Sequence, residues 1–365
     1  MKVKTITCHD VYNSGASLQA YALQTYIAEL GHNVEIIDYK PPYLSNHYNF
    51  GSISNPKWKR NCLLRCIYLT LKLPGRLCSL KKKRKFDKFR DKYLNLTPKR
   101  YNSIEELKSD PPLADLYIAG SDQIWNTFFP NGRDAAFYLD FAPGNAHKIS
   151  YAASFATESI EDDCFDFVVH QLKNFDSINV RESDAVDIVK KTGFNKNVEW
   201  VCDPVFLLDS DHWSSLADES FNEKYILIYD FENNQLIENV AKELAINNGW
   251  KIYTVNFKPS YADKSFKNAG PLTFISLIKN SQFVISNSFH GTAFAIIFSK
   301  DFYVALRKES INTRMQSLLG YLNLAERFIT TEGLSNNNSV DYALVHKLMN
   351  KHIEQSKQIL NSSLI

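Results

Sequence analysis

Residues 282–299 read QFVISNSFHGTAFAIIFS, and this stretch decides the fold. Residues 282–286 are a short apolar, β-branched run that suits a buried strand. Residues 287–291 are a polar turn. Residues 292–299 are apolar on nearly all sides, as in a helix packed between a sheet and a second layer. In an open α/β sheet such a turn lies at the carboxyl edge of its strand, where ligands bind. The helix it opens offers unpaired backbone N–H groups and a partial positive charge, ready for an anion. Gly291 allows close approach of a ligand to the backbone. His290 places a group that titrates near neutrality at the same point. A lone histidine in such a turn also serves structurally, as a hydrogen-bonding group. An anion cradle beside a proton donor suits a phosphorylated substrate.

The same strand-to-turn grammar recurs along the chain. A strand over 2–8 enters a turn carrying Asp10, Asn13 and Gly15. A helix over 16–30 follows, stopped by Gly31, and then a strand over 34–39. This βαβ start lacks GxGxxG, so the dinucleotide fingerprint is absent, while a nucleotide stays open. The strand at 115–119 runs into Gly120-Ser121-Asp122-Gln123-Ile124-Trp125-Asn126. Those at 148–153 and 177–180 lead to Ser154 and Arg181-Glu182-Ser183, and the one at 198–201 exits through Asp203-Pro204. A second series follows, with strands at 225–229, 251–255 and 302–304 and helices at 234–247 and 272–278. Its last loop carries Arg307, Lys308 and Arg314. Polar clusters after successive strands gather at one sheet edge. The expected organisation is an N-terminal Rossmann-like domain over 1–205 and a C-terminal one over 206–330. Residues 331–365 open Asn- and Ser-rich and end in a helix long enough to return across the junction.

Composition bounds the rest. With 365 residues, 44% hydrophobic and 22% charged, the chain reads as a two-domain soluble globular protein. No run reaches the ~18 apolar residues of a membrane span. The opening MKVKTITCHD reads as a charged strand and not a signal peptide. Six cysteines form no CxxC pair, which fits reduced thiols in the cytoplasm. Cys62 and Cys66 lack companions for a zinc set, so no metal is expected.

The net charge of +2 hides an asymmetry: residues 57–100 hold 16 Lys and Arg against two Asp. A basic block on an acidic body points to a local anionic partner and away from general nucleic-acid binding. This block belongs to an insertion over 43–112 that begins with an Asn- and Tyr-rich loop. A helix is expected over 61–73, broken at Pro74-Gly75, and a basic amphipathic helix over 80–93 with Phe86, Phe89 and Tyr93 on one face. That second helix either packs on its own domain or docks on an anionic inner membrane face, where each Lys or Arg contributes ~1 kcal/mol.

Taken in order, Asn13-Ser14-Gly15 with LQAYAL behind it, the 119–126 turn, Ser150-Tyr151-Ala152-Ala153-Ser154-Phe155, Val180-Arg181-Glu182, Cys202-Asp203-Pro204 and Ser288-Phe289-His290-Gly291 resemble the polysaccharide pyruvyl transferase family. The resemblance runs from about residue 3 to residue 330 and carries little in the insertion. It implies an α/β fold of the GT-B kind, two Rossmann-like doubly wound domains facing across a cleft. It also implies phosphoenolpyruvate as co-substrate, with no other cofactor, and a pair of sugar hydroxyls on a surface or capsular glycan, or its lipid-linked precursor, as acceptor. The product is a pyruvate ketal.

The family's donor-site Arg and His carry over to Arg181 and His290. Some members have an Arg two residues before that His. Here Ser288 stands there, and Arg307 or Arg314 is the expected substitute. The donor set is then Arg181, Ser288, Phe289, His290, Gly291 and Arg314. His290 is the expected general acid. Asp122 or Asp10 takes hydroxyl protons, positions the sugar, or simply caps its turn. The acceptor set is Asp10, Asn13, Gly15, Ser121, Asp122 and Trp125. The rival readings are a GT-B nucleotide-sugar glycosyltransferase and a non-catalytic glycan- or membrane-binding protein.

Overall fold

The computed structural model describes residues 1–44, 53, 58, 61–309, 311–330 and 338–364. The Asn- and Tyr-rich stretch after residue 43, the basic residues Lys57, Lys59 and Arg60, and most of the Asn- and Ser-rich stretch at 331–339 lie outside the described residues.

Two parallel sheets organise the chain. The first contains β1 (Lys2–Ile6), β2 (Asn33–Tyr39), β3 (Leu96–Tyr101), β4 (Leu116–Ala119), β5 (His147–Ser150), β6 (Ser177–Val180) and β7 (Asn197–Trp200), in the order β3-β2-β1-β4-β5-β6-β7. The second contains β8 (Tyr225–Tyr229), β9 (Lys251–Val255), β10 (Lys264–Phe266), β11 (Phe283–Ser286), β12 (Asp301–Ala305) and β13 (Phe328–Ile329), in the order β10-β9-β8-β11-β12-β13. Every neighbouring pair in both sheets is parallel. Parallel strands covered on both faces are apolar runs without alternation, as in LYIA, YILIY and FVIS, whose residues are all buried.

The helices are α1 (Ser14–Glu29), α2 (Cys62–Tyr93), α3 (Ile104–Ser109), α4 (Phe165–Leu172), α5 (Ser183–Lys191), α6 (Ser210–Leu216), α7 (Gln235–Asn248), α8 (Pro271–Asn280), α9 (Phe289–Ile297), α10 (Thr313–Tyr321) and α11 (Tyr342–Ser362). Each sheet grows outward in one direction and then restarts on the other side of its first strand. The reversal falls between β1 and β4 in one domain and between β8 and β11 in the other. These are the topological switch points, where loops diverge and leave a crevice for a ligand.

The domains share one apolar core. Val3 and Leu18 of the first belong to the same buried cluster as Phe274 and Phe294 of the second. Trp213 of α6 is fully buried between the Tyr21 ring (5.9 Å) and the Phe294 ring (4.9 Å). α11 begins on the second domain, where the Tyr342 hydroxyl donates to the Lys300 carbonyl, and ends on the first. There Ser356 Oγ accepts the Cys202 N–H at 2.9 Å, and the Tyr26 hydroxyl donates to Asn361 at 3.1 Å. The helix therefore returns across the junction.

The insertion differs from expectation. α2 is one helix of 32 residues that runs through Pro74. Proline removes one helical hydrogen bond and crowds the carbonyl four residues earlier, here that of Thr70. Thr70 and Pro74 are both exposed, so water can satisfy the freed carbonyl and the helix continues. The C-terminal half of α2 packs on the body: Phe86 and Phe89 are buried, against Tyr12 and Tyr21. Lys82 and Lys85 reach Asn256 and Thr273 of the second domain.

Candidate active site

Most of the turns singled out in the sequence meet where the carboxyl edges of the two sheets face each other. From the first domain come Asn13 at the start of α1, Ser121 and Asp122 after β4, Arg181 after β6 and Asp203 after β7. The second domain supplies Asn287 to His290 after β11, Arg307 after β12 and Arg314 on α10. Between them lies a cleft of about 640 Å³ lined by Asn13, Asp122, Ser288, His290, Arg307 and Arg314, among others.

Asp203 is the centre of the charge network. It is buried, and its Oδ2 accepts Arg181 Nη1 at 2.6 Å and Ser121 Oγ at 3.2 Å. His290 Nε2 lies 3.5 Å from the same oxygen, a close polar contact that is not a hydrogen bond. Burial alone would push the Asp203 carboxyl up. His290 and Arg181 together overcome this and hold it well below the usual carboxylate range. Asp203 therefore stays ionised and ties a guanidinium of one domain to an imidazole of the other.

Asp122 sits in the left-handed backbone region, φ 77°, which is uncommon for any residue but glycine. The turn aims its Oδ1 at Arg181 Nη2 (3.4 Å) and Arg314 Nη1 (3.8 Å). Burial opposes its ionisation, but Arg181, His290 and Arg314 outweigh it and lower its pKa.

Gly15 explains how His290 is held from the other side. A Cβ at this position would lie 2.1 Å from His290 Nδ1. The first turn of α1 is thus pressed onto the imidazole, and only glycine leaves room for it. Gly291 has a related packing role. Its missing Cβ would meet Ser286 Oγ at 2.6 Å, so glycine here lets α9 pack on β11. The cradle is also partly filled from within, because Ser288 Oγ caps the Gly291 N–H.

The two arginines differ in their environments. Arg181 has no exposed side-chain surface, is committed to Asp203 and Asp122, and does not line the cleft. It organises the two carboxylates. Arg314 does line the cleft. Its Nε, like that of Arg181, is buried with no hydrogen-bond partner, but here burial, then Arg181, push the pKa down to about 10. Both guanidiniums approach the Phe289 ring, Arg181 at 4.9 Å and Arg314 at 5.8 Å from its centroid. Such cation–π contacts ease the approach of like charges. Arg307 also lines the cleft but already pairs with Glu232 and Glu309. An under-compensated buried arginine lining the same cleft as a histidine is chemistry that suits an anion.

The expected acceptor residues divide. Asn13 and Asp122 line the cleft, while Gly15 and Ser121 stand behind it as supports. Asp10 is buried and paired with Lys40 (2.5 Å), Arg90 (3.3 Å) and Arg100 (3.6 Å), away from the cleft lining. Trp125 is fully buried, stacked on Tyr138 with its N–H given to the Phe137 carbonyl, and presents no face to a sugar. A tryptophan after a strand looks like a stacking platform in sequence, but here it fills the core. Phe231, Asn312 and Met315 also line the cleft and were not singled out from sequence. Asp203 stands in the sequence as a strand exit and within the Cys202-Asp203-Pro204 motif, with no role in the site, although its post-strand position is the usable signal.

Paired Rossmann-like domains with a charged interdomain cleft define a protein of the GT-B-like class. Solved structures agree on the fold. The UDP-GlcNAc 2-epimerase of Neisseria meningitidis bound to UDP-GlcNAc is similar at TM-score 0.51 and 12% identity, covering 100% of both chains. The S. aureus MnaA–UDP co-structure is similar at TM-score 0.50 and 13% identity, covering 99% of this chain and 95% of that one. No curated protein matches the sequence significantly. The family model described as "Polysaccharide pyruvyl transferase" matches residues 13–305. The chain belongs to that family and is accordingly a transferase.

Proposed function

We propose that the protein transfers the pyruvyl group of phosphoenolpyruvate onto two hydroxyls of a sugar, forming a pyruvate ketal on a capsular or exopolysaccharide or its lipid-linked precursor. The observation that carries the reading is Arg314, buried with an unpartnered Nε and lining the same cleft as His290. Phosphoenolpyruvate brings a carboxylate and a phosphate, and Arg314, Arg307 and the start of α9 are the groups suited to them. No cofactor or metal enters the reading.

His290 delivers a proton to the methylene carbon, and the neighbouring carbon becomes oxocarbenium-like. A first sugar hydroxyl adds there and loses its proton. Phosphate then leaves, and a second hydroxyl closes the ring with loss of its own proton. Asp122 is the carboxylate placed to accept a hydroxyl proton, and Asn13 to orient the sugar. Asp203 and Gly15 fix the imidazole. A peripheral contact with an anionic membrane through 57–100 would bring the enzyme to a lipid-linked acceptor.

Thermal denaturation with phosphoenolpyruvate and with a panel of nucleotide sugars tests the reading. A ligand at 100 times its dissociation constant stabilises by ~2.7 kcal/mol, a readily measured rise in Tm. Protection by phosphoenolpyruvate alone supports pyruvyl transfer. Protection by a nucleotide sugar alone replaces it with glycosyl transfer.

A further inference from the structure

α2 presents one exposed line along its whole length. In a helix of 3.6 residues per turn, positions 63, 67, 70, 74, 77, 81, 84 and 88 fall on a single strip. All of them are exposed. The strip changes character midway. Over the first half it is apolar, with Leu63 71%, Ile67 41% and Leu77 51% exposed. Over the second half it is basic, with Lys81, Arg84 and Lys88. Elsewhere on that second half Phe86 and Phe89 anchor the helix to the body, and Asp87 pairs with Lys83 and Arg90. Between 63 and 88 the strip holds no acidic residue; the next position at the same spacing, exposed Asp91, is paired with Arg90 at 2.7 Å.

Large apolar side chains left in water mark an interaction surface when they are contiguous. An apolar stretch that continues into a row of cations, on one side of one helix, matches the boundary between acyl chains and anionic headgroups. Among the described residues no helix is long and apolar enough to cross a membrane, so contact through α2 would lie along the surface.

We infer that α2 is a membrane-docking helix: Leu63, Ile67 and Leu77 seat in the acyl boundary of an anionic bilayer while Lys81, Arg84 and Lys88 meet its headgroups. The same half of α2 touches the Tyr12 loop, next to cleft-lining Asn13, through the Tyr12 hydroxyl bond to Asp87. Docking therefore sets the cleft near the lipid surface. The surface contact does not depend on which reaction the cleft performs.

Sedimentation of the full chain with vesicles tests this, using phosphatidylcholine alone and phosphatidylcholine mixed with an equal amount of phosphatidylglycerol. The mixed vesicles retain the protein and the neutral ones do not. The variant K81Q/R84Q/K88Q weakens partition roughly 100-fold, from the attraction expected of three cations at an anionic surface. L63S/I67S weakens it at least roughly tenfold. Both variants keep the parent circular dichroism and melting curve, because the replaced side chains are exposed. A folded chain that ignores the mixed vesicles, or binding that survives both variants, overturns the assignment. Self-association abolished by L63S/I67S without vesicle binding also overturns it, in favour of a second copy as the occupant. No substrate enters the assay, so its outcome is independent of pyruvyl transfer.

Discussion

Replacing Gly15 with alanine should silence the enzyme while leaving it folded. The added Cβ would stand 2.1 Å from His290 Nδ1, and ordinary carbon contacts begin near 3.4 Å. The ring must retreat by about 1.3 Å, and because His290 Cβ would itself lie 2.8 Å away, α9 must also give slightly against α1. That retreat disrupts the 3.5 Å contact with Asp203 and carries the imidazole off the donor carbon. A displacement of about 1 Å in a catalytic group costs on the order of 100-fold in rate. The helix itself does not object, since alanine favours helix over glycine by about 0.5–1 kcal/mol. The assay is phosphate release from phosphoenolpyruvate with glycan acceptors, read beside a melting curve and donor affinity. The expected pattern is a 100-fold fall in kcat, a Tm within a few degrees of the parent, and donor affinity changed far less than kcat. A variant with parental kcat and an unmoved imidazole refutes the packing role of Gly15.

Other consequences follow from the same network. Asp203→Asn leaves Arg181 buried without its main partner and should destabilise the protein by about 3–5 kcal/mol, measured by denaturant unfolding; a loss below about 1 kcal/mol would show that Asp203 does not hold the network. Arg314→Gln should weaken phosphoenolpyruvate binding roughly 10- to 100-fold in calorimetry, with a smaller loss for Arg307→Gln, whose guanidinium already has Glu232 and Glu309. His352, packed 4.4 Å from the Trp200 ring, has its pKa lowered to about 4 by burial. Its folded value lies below the unfolded one, so its contribution is complete above pH ~6.5 and is lost as pH falls toward 4, by up to about 3 kcal/mol. His352→Phe should flatten that part of the stability–pH curve, and an unchanged slope would show that the buried ring does not control it.

Much of the fold was legible because its strands are buried on both faces and read as unbroken apolar runs. Of the four edge strands only β7 was; the other three were not. β3 reads LTPKRY, with a proline and two exposed cations, which is how an edge protects itself and also how a loop looks. β13 has two residues and β10 three, too few to show a period. Pro74 misled for a different reason: a local rule predicts a break, and solvent on that side of the helix removes the penalty.

At the site, the residue types were legible but not their partners. Arg181, Asp203 and His290 are far apart in the chain and meet only because the carboxyl edges of two sheets face one another. Sequence marked Arg181 as an anion ligand, whereas the fold encloses it between two carboxylates and brings Arg314 to the cleft. Gly15 reads in sequence only as a turn glycine of the acceptor set, whereas the fold uses its missing side chain to admit an imidazole of the other domain.

The most direct measurement of the central claim follows the donor's methylene carbon by NMR, using phosphoenolpyruvate labelled there with carbon-13 and a glycan acceptor in heavy water. Proton delivery by His290 predicts a ketal methyl group carrying one deuterium, formed with equimolar phosphate and reduced 10²–10⁴-fold by His290→Gln. A product that keeps its methylene double bond, or a ketal formed undiminished by the His290→Gln protein, contradicts it.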